Sequence, residues 1–228
     1  MRSVTLAALA AGISFAGAAD AAVNLITNGS FETGDFTGWT YAGVTPSGFP
    51  AVIISYDTPA AYPIGAFGEA VPPDDSASAS PDAVGDRAAY FVADGATESL
   101  SQTVHLTAGL YTIGFSVYVP QNGFNNAGNA TFTGTIAGVN LANFTVDGST
   151  PGVWVHFAGV ANIASEGDYL STFTFASAQG AAGDFVVDRA YIVAGNAVPE
   201  PSAWALMILG FGGVGGALRA RRNLLAAA

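Results

Sequence analysis

Leu110-Tyr111-Thr112-Ile113-Gly114-Phe115-Ser116-Val117-Tyr118-Val119 is the stretch that decides the fold. Tyr111, Ile113, Phe115, Val117 and Val119 share one parity, and Thr112, Gly114, Ser116 and Tyr118 share the other. Period two marks an extended strand, because successive side chains leave a pleated backbone on opposite sides. The first face is expected to be core and the second half open. Just upstream, Leu100, Val104 and Leu106 alternate with Ser99, Ser101, Thr103 and His105, and Ala108-Gly109 turns the chain into the next strand. Gln102 falls on the apolar parity, so its amide is expected to be a buried structural group with hydrogen-bond partners.

Working outward, the same alternation predicts strands at Val52–Tyr56, Ala88–Val92, Ala130–Ile136, Asn143–Val146, Val153–Phe157, Leu170–Ala176 and Phe185–Val193. Gly, Asn, Asp and Pro punctuate them, and no helical stripe competes between Leu25 and Val193. Eight or so strands with such turns predict an all-β jelly-roll sandwich. Asp57 to Asp86, rich in Pro, Ala, Ser and Asp, is too long for a hairpin turn and is expected to be an excursion. Gln121 to Asn129, with four asparagines and Phe124, is a second polar loop. Either loop can frame a ligand site.

Composition narrows the function. The chain has 228 residues, no cysteine and no lysine. Disulfides, thiolate metal sites and cysteine nucleophiles are therefore excluded. Between Val23 and Pro199, 15 acidic residues face only Arg87 and Arg189, a net charge of −13. Such a body repels nucleic-acid phosphates, so DNA or RNA partners are not expected. No repeat of solenoid length divides it, and one domain over residues 22–196 is expected.

Both ends read as targeting segments. Met1-Arg2 supplies positive charge, Val4 to Ala19 is apolar, and Ala19-Asp20-Ala21 offers small residues at a cleavage site, so residues 1–21 read as a secretory signal peptide. At the other end stand Pro199-Glu200-Pro201, an uncharged run from Trp204 to Leu218, and then Arg219, Arg221 and Arg222. The run has 15 residues. As a helix it would reach about 22 Å against a hydrocarbon core of about 30 Å, short for a permanent anchor. Trp204 suits the outer interface and the arginines the cytoplasmic one, leaving residues 223–228 as a cytoplasmic tail and the body outside.

These residues, with Trp204-Ala205-Leu206-Met207 and Gly210-Phe211-Gly212, resemble the PEP-CTERM sorting signal over 197–222. The resemblance implies export through the secretion machinery and a membrane-anchored precursor in a Gram-negative bacterium. It also implies removal of the tail by an exosortase, for delivery to the surface or an exopolysaccharide matrix. The same tail is labelled elsewhere as an ice-binding protein C-terminal domain, which describes the tag only.

A second resemblance lies in Asn24-Leu25-Ile26-Thr27-Asn28-Gly29-Ser30-Phe31-Glu32 with Gly38-Trp39, in Leu100-Ser101-Gln102-Thr103-Val104 with Ala108-Gly109-Leu110-Tyr111-Thr112, and in Phe185-Val186-Val187-Asp188-Arg189-Ala190-Tyr191. They are similar to galactose-binding-like jelly rolls, including carbohydrate-binding modules, although Arg189 departs from their usual small or acidic residue. The resemblance implies a structural calcium on Glu32 and Asp188, with a metal-free hydrogen-bonded cluster as the alternative. Asp188 shares parity with Val186, Ala190 and Ile192, so a carboxylate is expected to point at the apolar layer, where it needs a partner.

A sugar site needs an aromatic platform beside polar groups, because a pyranose offers an apolar face and hydroxyl edges. Tyr118, Trp154, Phe124 and Tyr62 are the candidates, with Tyr56 and Phe67, each with core packing as the competing role. His105 and His156 have no metal-spaced partner, and no motif for an acyl-transfer nucleophile, zinc protease or phosphate loop occurs. The chain is therefore expected to be no enzyme but an exported carbohydrate-binding sandwich, or else a structural or adhesive matrix protein. A hydrolase or an ice binder, the latter suggested by alternate threonines in Thr131-Phe132-Thr133-Gly134-Thr135, stands third.

Overall fold

The computed structural model describes residues 22–44, 48–178 and 180–195. The expected signal peptide, the helix at 204–218 and the motif residues Pro199, Glu200, Pro201, Trp204, Arg219, Arg221 and Arg222 lie outside the described residues. The strands are β1 (Thr40–Val44), β2 (Val52–Ser55), β3 (Arg87–Phe91), β4 (Thr97–Leu106) and β5 (Gly109–Tyr118), then β6 (Ala130–Ile136), β7 (Val139–Thr145), β8 (Trp154–Ile163), β9 (Gly167–Ser177) and β10 (Phe185–Ala194). A one-turn helix, α1 (Gln121–Phe124), follows β5. Two five-stranded antiparallel sheets result, β1-β4-β9-β6-β7 and β2-β3-β10-β5-β8. The β-sandwich expected from the alternation is what the chain forms.

The turn at Ala108-Gly109 carries the chain from the first sheet to the second, since β4 pairs with β1 and β9 while β5 pairs with β8 and β10. Both strands thereby turn their apolar faces into one core. Leu100, Val104 and Leu106 meet Ile113, Phe115 and Val117 there, together with Phe132, Phe173, Phe175 and Phe185. Phe115 sits at the centre, its ring 4.9 Å from that of Phe173 and 5.6 Å from that of Phe157. It fits because Gly134 faces it: a Cβ at that position would lie 2.1 Å from Phe115 Cζ. Overpacking of this kind costs about 1–3 kcal/mol, so Gly134→Ala is expected to lower stability by that amount in urea unfolding. An unchanged midpoint and slope would show that the ring is free to move.

Gln102 behaves as expected: its Oε1 accepts from Thr27 N at 2.7 Å and its Nε2 donates to Thr27 O at 2.9 Å, stitching the N-terminal segment to β4. Two other expectations change. The second face of β5 is not half open at Gly114, Ser116 and Tyr118, which are buried. The excursion through residues 57–86 lies over that face and builds a second apolar cluster, in which Val71 and Ala66 join Ile54, Tyr90, Tyr118, Trp154 and Val186. Strand periodicity cannot report what a distant loop will cover.

The parity of β10 also breaks. Arg189 takes φ +52°, and the pairing with β5 shifts register between Asp188 and Tyr191. This bulge puts Phe185, Val187, Ala190 and Ile192 in the main core, while Val186 belongs to the second cluster. Asp188 therefore lies on the Val186 side, under the excursion, rather than with Ala190 and Ile192. One extra residue in a strand reverses every later side chain, and nothing in the local pattern announces it.

The outer face of the first sheet is a field of hydroxyls. Ser101, Thr172 and Thr135 lie opposite one another across β4, β9 and β6, as do Ser99, Thr174 and Thr133. Gly195, the last of the described residues, donates its N–H to Leu110 O at the β4–β5 turn end. The loops β3–β4, β5–β6, β7–β8 and β9–β10 gather at the opposite end.

Candidate functional site

At that opposite end the loops enclose a cleft of about 310 Å³, lined by Phe49, Phe67, Asp94, Asn122, Asn126 and Asp184 among others. One wall is aromatic. Phe67 stacks on Tyr62 at 5.7 Å between ring centres, and Phe49 meets both edge-on at 5.5 Å and 5.2 Å. Tyr62 is fixed by its hydroxyl, which donates to Pro50 O at 2.8 Å. Phe67 is 46% exposed yet holds φ +48°, a conformation that a bulky residue keeps only when its surroundings impose it.

Those surroundings come from α1. The Glu69 carboxylate accepts from Gln121 N and Asn122 N, both at 2.8 Å, at the start of that turn of helix. Asn122 Nδ2 donates to Ala66 O at 2.7 Å. The excursion is thus clamped to the β5–β6 loop on both sides of Phe67. On the opposite wall, Asn126 Nδ2 donates to Ala182 O at 2.6 Å, and Ala182 N donates to Asp94 Oδ1 at 2.8 Å. Three loops are bonded to one another before any ligand arrives, which reduces the ordering cost of binding.

Asp184 sits deepest, only 3% exposed, with its Oδ2 accepting from the buried Tyr90 hydroxyl. Burial pushes its carboxyl up to about 7, and the charges of Asp94 and Glu69 add to the effect. Gly123 makes room for it, since a Cβ there would lie 2.7 Å from Asp184 Cβ. The two polar loops singled out in the sequence meet in this cleft through Phe67, Asn122 and Asn126, and Tyr62 contributes by stacking on Phe67. Phe49, Asp94 and Asp184 carried no sequence signal, because each belongs to a short connection whose neighbours in space are remote in the chain.

The other expected ligand contacts lie elsewhere. Tyr118 and Trp154 are 4% and 7% exposed beneath the excursion, and Trp154 Nε1 donates to Pro72 O. Tyr56 packs edge-on against Trp154. Phe124 is half-buried against the main core.

Glu32 and Asp188 are each committed to donors of their own. Glu32 Oε1 accepts from Asp86 N and Arg87 N, which pins the end of the excursion. Asp188 accepts from the Tyr56 hydroxyl and from Arg189 N. Burial raises the Asp188 carboxyl well above its usual range, which favours the protonated acid over a metal ligand. Among the described residues no three His, Asp or Glu side chains converge as a metal site. The pair as arranged does not fit a calcium shell.

Two polar constellations resemble catalytic ones only superficially. Ser116 Oγ lies 2.9 Å from His156 Nδ1, but Ser116 is fully buried and no substrate can reach it. His105 lies at the surface between Asp168 and Glu166, with no nucleophile beside it among the described residues. A second groove, of about 470 Å³ between β7 and β8, is lined by Leu141, Phe144, Val153, Val155 and Phe157. Its polar lining, Asn143, Ser149 and Thr150, holds no ionisable side chain, whereas the loop-end cleft joins aromatic rings to Asp94 and Asp184 and is the stronger site. Among the described residues no helix is long and apolar enough to cross a membrane.

Residues 197–222 match the profile of the PEP-CTERM protein-sorting motif. That motif marks an exported, membrane-anchored precursor processed by an exosortase. No curated protein matches the chain. Among solved structures it is similar to TmCBM61 in complex with beta-1,4-galactotriose, at 20% identity and a TM-score of 0.41, over 76% of this chain and 99% of that one. It is similar to a family 16 carbohydrate-binding module at 18% identity and a TM-score of 0.40, over 75% and 99%. A third is the CBM22-2 xylan-binding domain of Paenibacillus barcinonensis Xyn10C, at 12% identity and a TM-score of 0.38, over 73% and 98%.

Proposed function

We propose that the loop-end cleft binds a carbohydrate, and that the protein is a non-catalytic glycan-binding module held at or released from the cell surface, in contact with extracellular polysaccharide. The observation that carries this reading is the pairing, in one pre-bonded cleft, of Phe67 and Phe49, backed by the Tyr62 ring that stacks on Phe67, with Asp94, Asn126 and Asp184. An aromatic wall takes the C–H face of a sugar ring while hydrogen-bonding groups take its hydroxyl edge. The net charge of −13 over the body argues against sulfated or uronate-rich ligands. The cleft lies at the end of the sandwich away from Gly195, so a precursor held by its tail turns the cleft away from the membrane.

Phe67→Ala tests the site. Truncating a central aromatic contact costs about 2 kcal/mol or more, so calorimetry of the full chain in detergent against a panel of trisaccharides should show binding that weakens at least about tenfold. Equal affinity in the variant would remove the cleft from the account. For the tail, replacing Pro199-Glu200-Pro201 by alanines is expected to leave full-length precursor in the membrane fraction. Normal processing of that variant would contradict the role of the motif.

A further inference from the structure

The second sheet is covered unevenly on its outer face. Its upper part lies under the excursion, where Trp154 Nε1 donates to Pro72 O and Ser116 Oγ lies 3.0 Å from Ser76 Oγ. Toward the β4–β5 turn the same face is bare. Tyr111, Ile113, Ala161, Ile163 and Ile192 point into the main core, so the alternate residues Leu110, Thr112, Val160 and Val193 point outward. Val193, Thr112 and Val160 stand opposite one another across β10, β5 and β8, with Leu110 two residues nearer the turn. Leu110 is 58% and Val160 62% exposed. The N-terminal segment widens the patch. It runs antiparallel to β10, Leu25 N–H donating to Ile192 O and Ala190 N–H to Gly29 O, which brings the exposed Val23 to the same end. On a body of net charge −13, β5 and β8 contain no Asp, Glu or Arg.

The position of this patch says what meets it. Gly195 N–H donates to Leu110 O, so the chain runs on toward its tail from the patch itself. The tail carries the motif of a membrane-anchored precursor, and its uncharged run begins at Trp204, nine residue steps beyond Gly195. Nine steps reach at most about 30 Å, so the patch stays beside the bilayer. A tether this short makes docking an intramolecular event, for which a small apolar contact suffices. The lack of charge spares the contact both repulsion by anionic headgroups and the cost of desolvating an ion. We infer that in the anchored precursor this face of the second sheet, through Leu110, Val160, Val193 and Val23, docks on the bilayer surface. Gly195 then lies at that surface, and Pro199-Glu200-Pro201, a few residues on, is presented there for processing. The loop-end cleft remains on the far side of the body, open to water.

Because the chain has no cysteine, one introduced thiol labels one place. Full-length protein with a fluorophore at Asn162→Cys, exposed opposite Leu110, or at Thr103→Cys, exposed on the outer face of the first sheet near the same turn, is reconstituted in phosphatidylcholine vesicles containing a nitroxide-headgroup lipid. Both labels feel the tether, but only the first lies on the docking face. Quenching is expected to be strong at position 162 and weak at 103. Adding Leu110→Asp or Val160→Asp, each at an exposed position, is expected to lower the docked-to-undocked ratio read at 162 at least about tenfold. Equal quenching at the two positions overturns the inference, because tethering alone then accounts for it. Quenching at 162 that neither aspartate changes overturns it as well. Emission at 162 that shifts with protein concentration in detergent, without quenching in vesicles, overturns it in favour of contact with a second copy of the chain.

Discussion

Arg189→Met is expected to destabilise the protein by about 3–5 kcal/mol, the cost of stranding one member of a buried ion pair. Arg189 is 8% exposed and Asp74 2% exposed. The guanidinium donates to Ser76 O at 3.2 Å and lies 3.6 Å from Asp74 Oδ2, an ion pair without a hydrogen bond. Asp74 Oδ1 is already occupied by the N–H and hydroxyl of Ser76, and Oδ2 has no other partner among the described residues. Without Arg189 that carboxylate stays buried with nothing to balance it. The same pair ties the excursion to the bulge in β10, so the loss should extend to the loops that shape the cleft. Urea unfolding of wild type, Arg189→Met, Asp74→Asn and the double variant measures it. The double variant should recover part of the stability, whereas a single-variant loss under about 1 kcal/mol would show the pair to be well hydrated.

Stability is expected to fall, not rise, as the pH climbs from about 4 to about 7. Burial raises three carboxyls in the fold: Asp184 up to about 7, Asp188 well above the usual range, and Glu98 above it. In the unfolded chain such groups ionise near pH 4. Between those values the folded protein keeps protons that the unfolded chain has released, so each added unit of pH favours unfolding until the folded groups ionise too. Asp184 alone is worth on the order of 4 kcal/mol over that window. Melting temperatures across the range should decline toward neutrality, and Asp184→Asn should flatten the decline. A melting temperature that climbs through the same window would contradict the burial of these carboxyls in the folded state.

The core was legible in the sequence because its signal is local. Tyr111 to Val119 alternates without interruption, and the same parity governs β4, β6 and β9. Gln102 was legible for the same reason: a polar residue on an apolar parity must find partners, and Thr27 provides them. Strand β1 was not, since Tyr41-Ala42-Gly43 has no alternation to read, and its pairing with β4 is a fact about β4. The burial of Tyr118 and Trp154 depends on residues such as Val71 and Pro72, far away in the chain. The side on which Asp188 lies depends on one left-handed residue, Arg189.

The site divides along the same line. Both loops that frame it, 57–86 and 121–129, stood out by length and composition, and Phe67 and Tyr62 were visible as aromatics without a strand to belong to. Asp94 reads as part of an Asp-Gly turn, and Asp184 as the residue before a strand. Their meeting in the cleft emerges only from closure of the sandwich, which brings the end of β3 and the start of β10 together. Phe49 likewise joins the wall through contacts with Tyr62 and Phe67 across the chain.

On the proposed function, this end of the sandwich, and no other surface, receives the sugar. Backbone amide shifts of the full chain are followed through titration with the tightest-binding member of the trisaccharide panel. Saturable changes are expected, confined to residues around Phe67, Asp94, Asn122, Asn126 and Asp184. Changes centred instead on the hydroxyl face at Ser99, Thr133 and Thr174, or on the groove between β7 and β8, would contradict it.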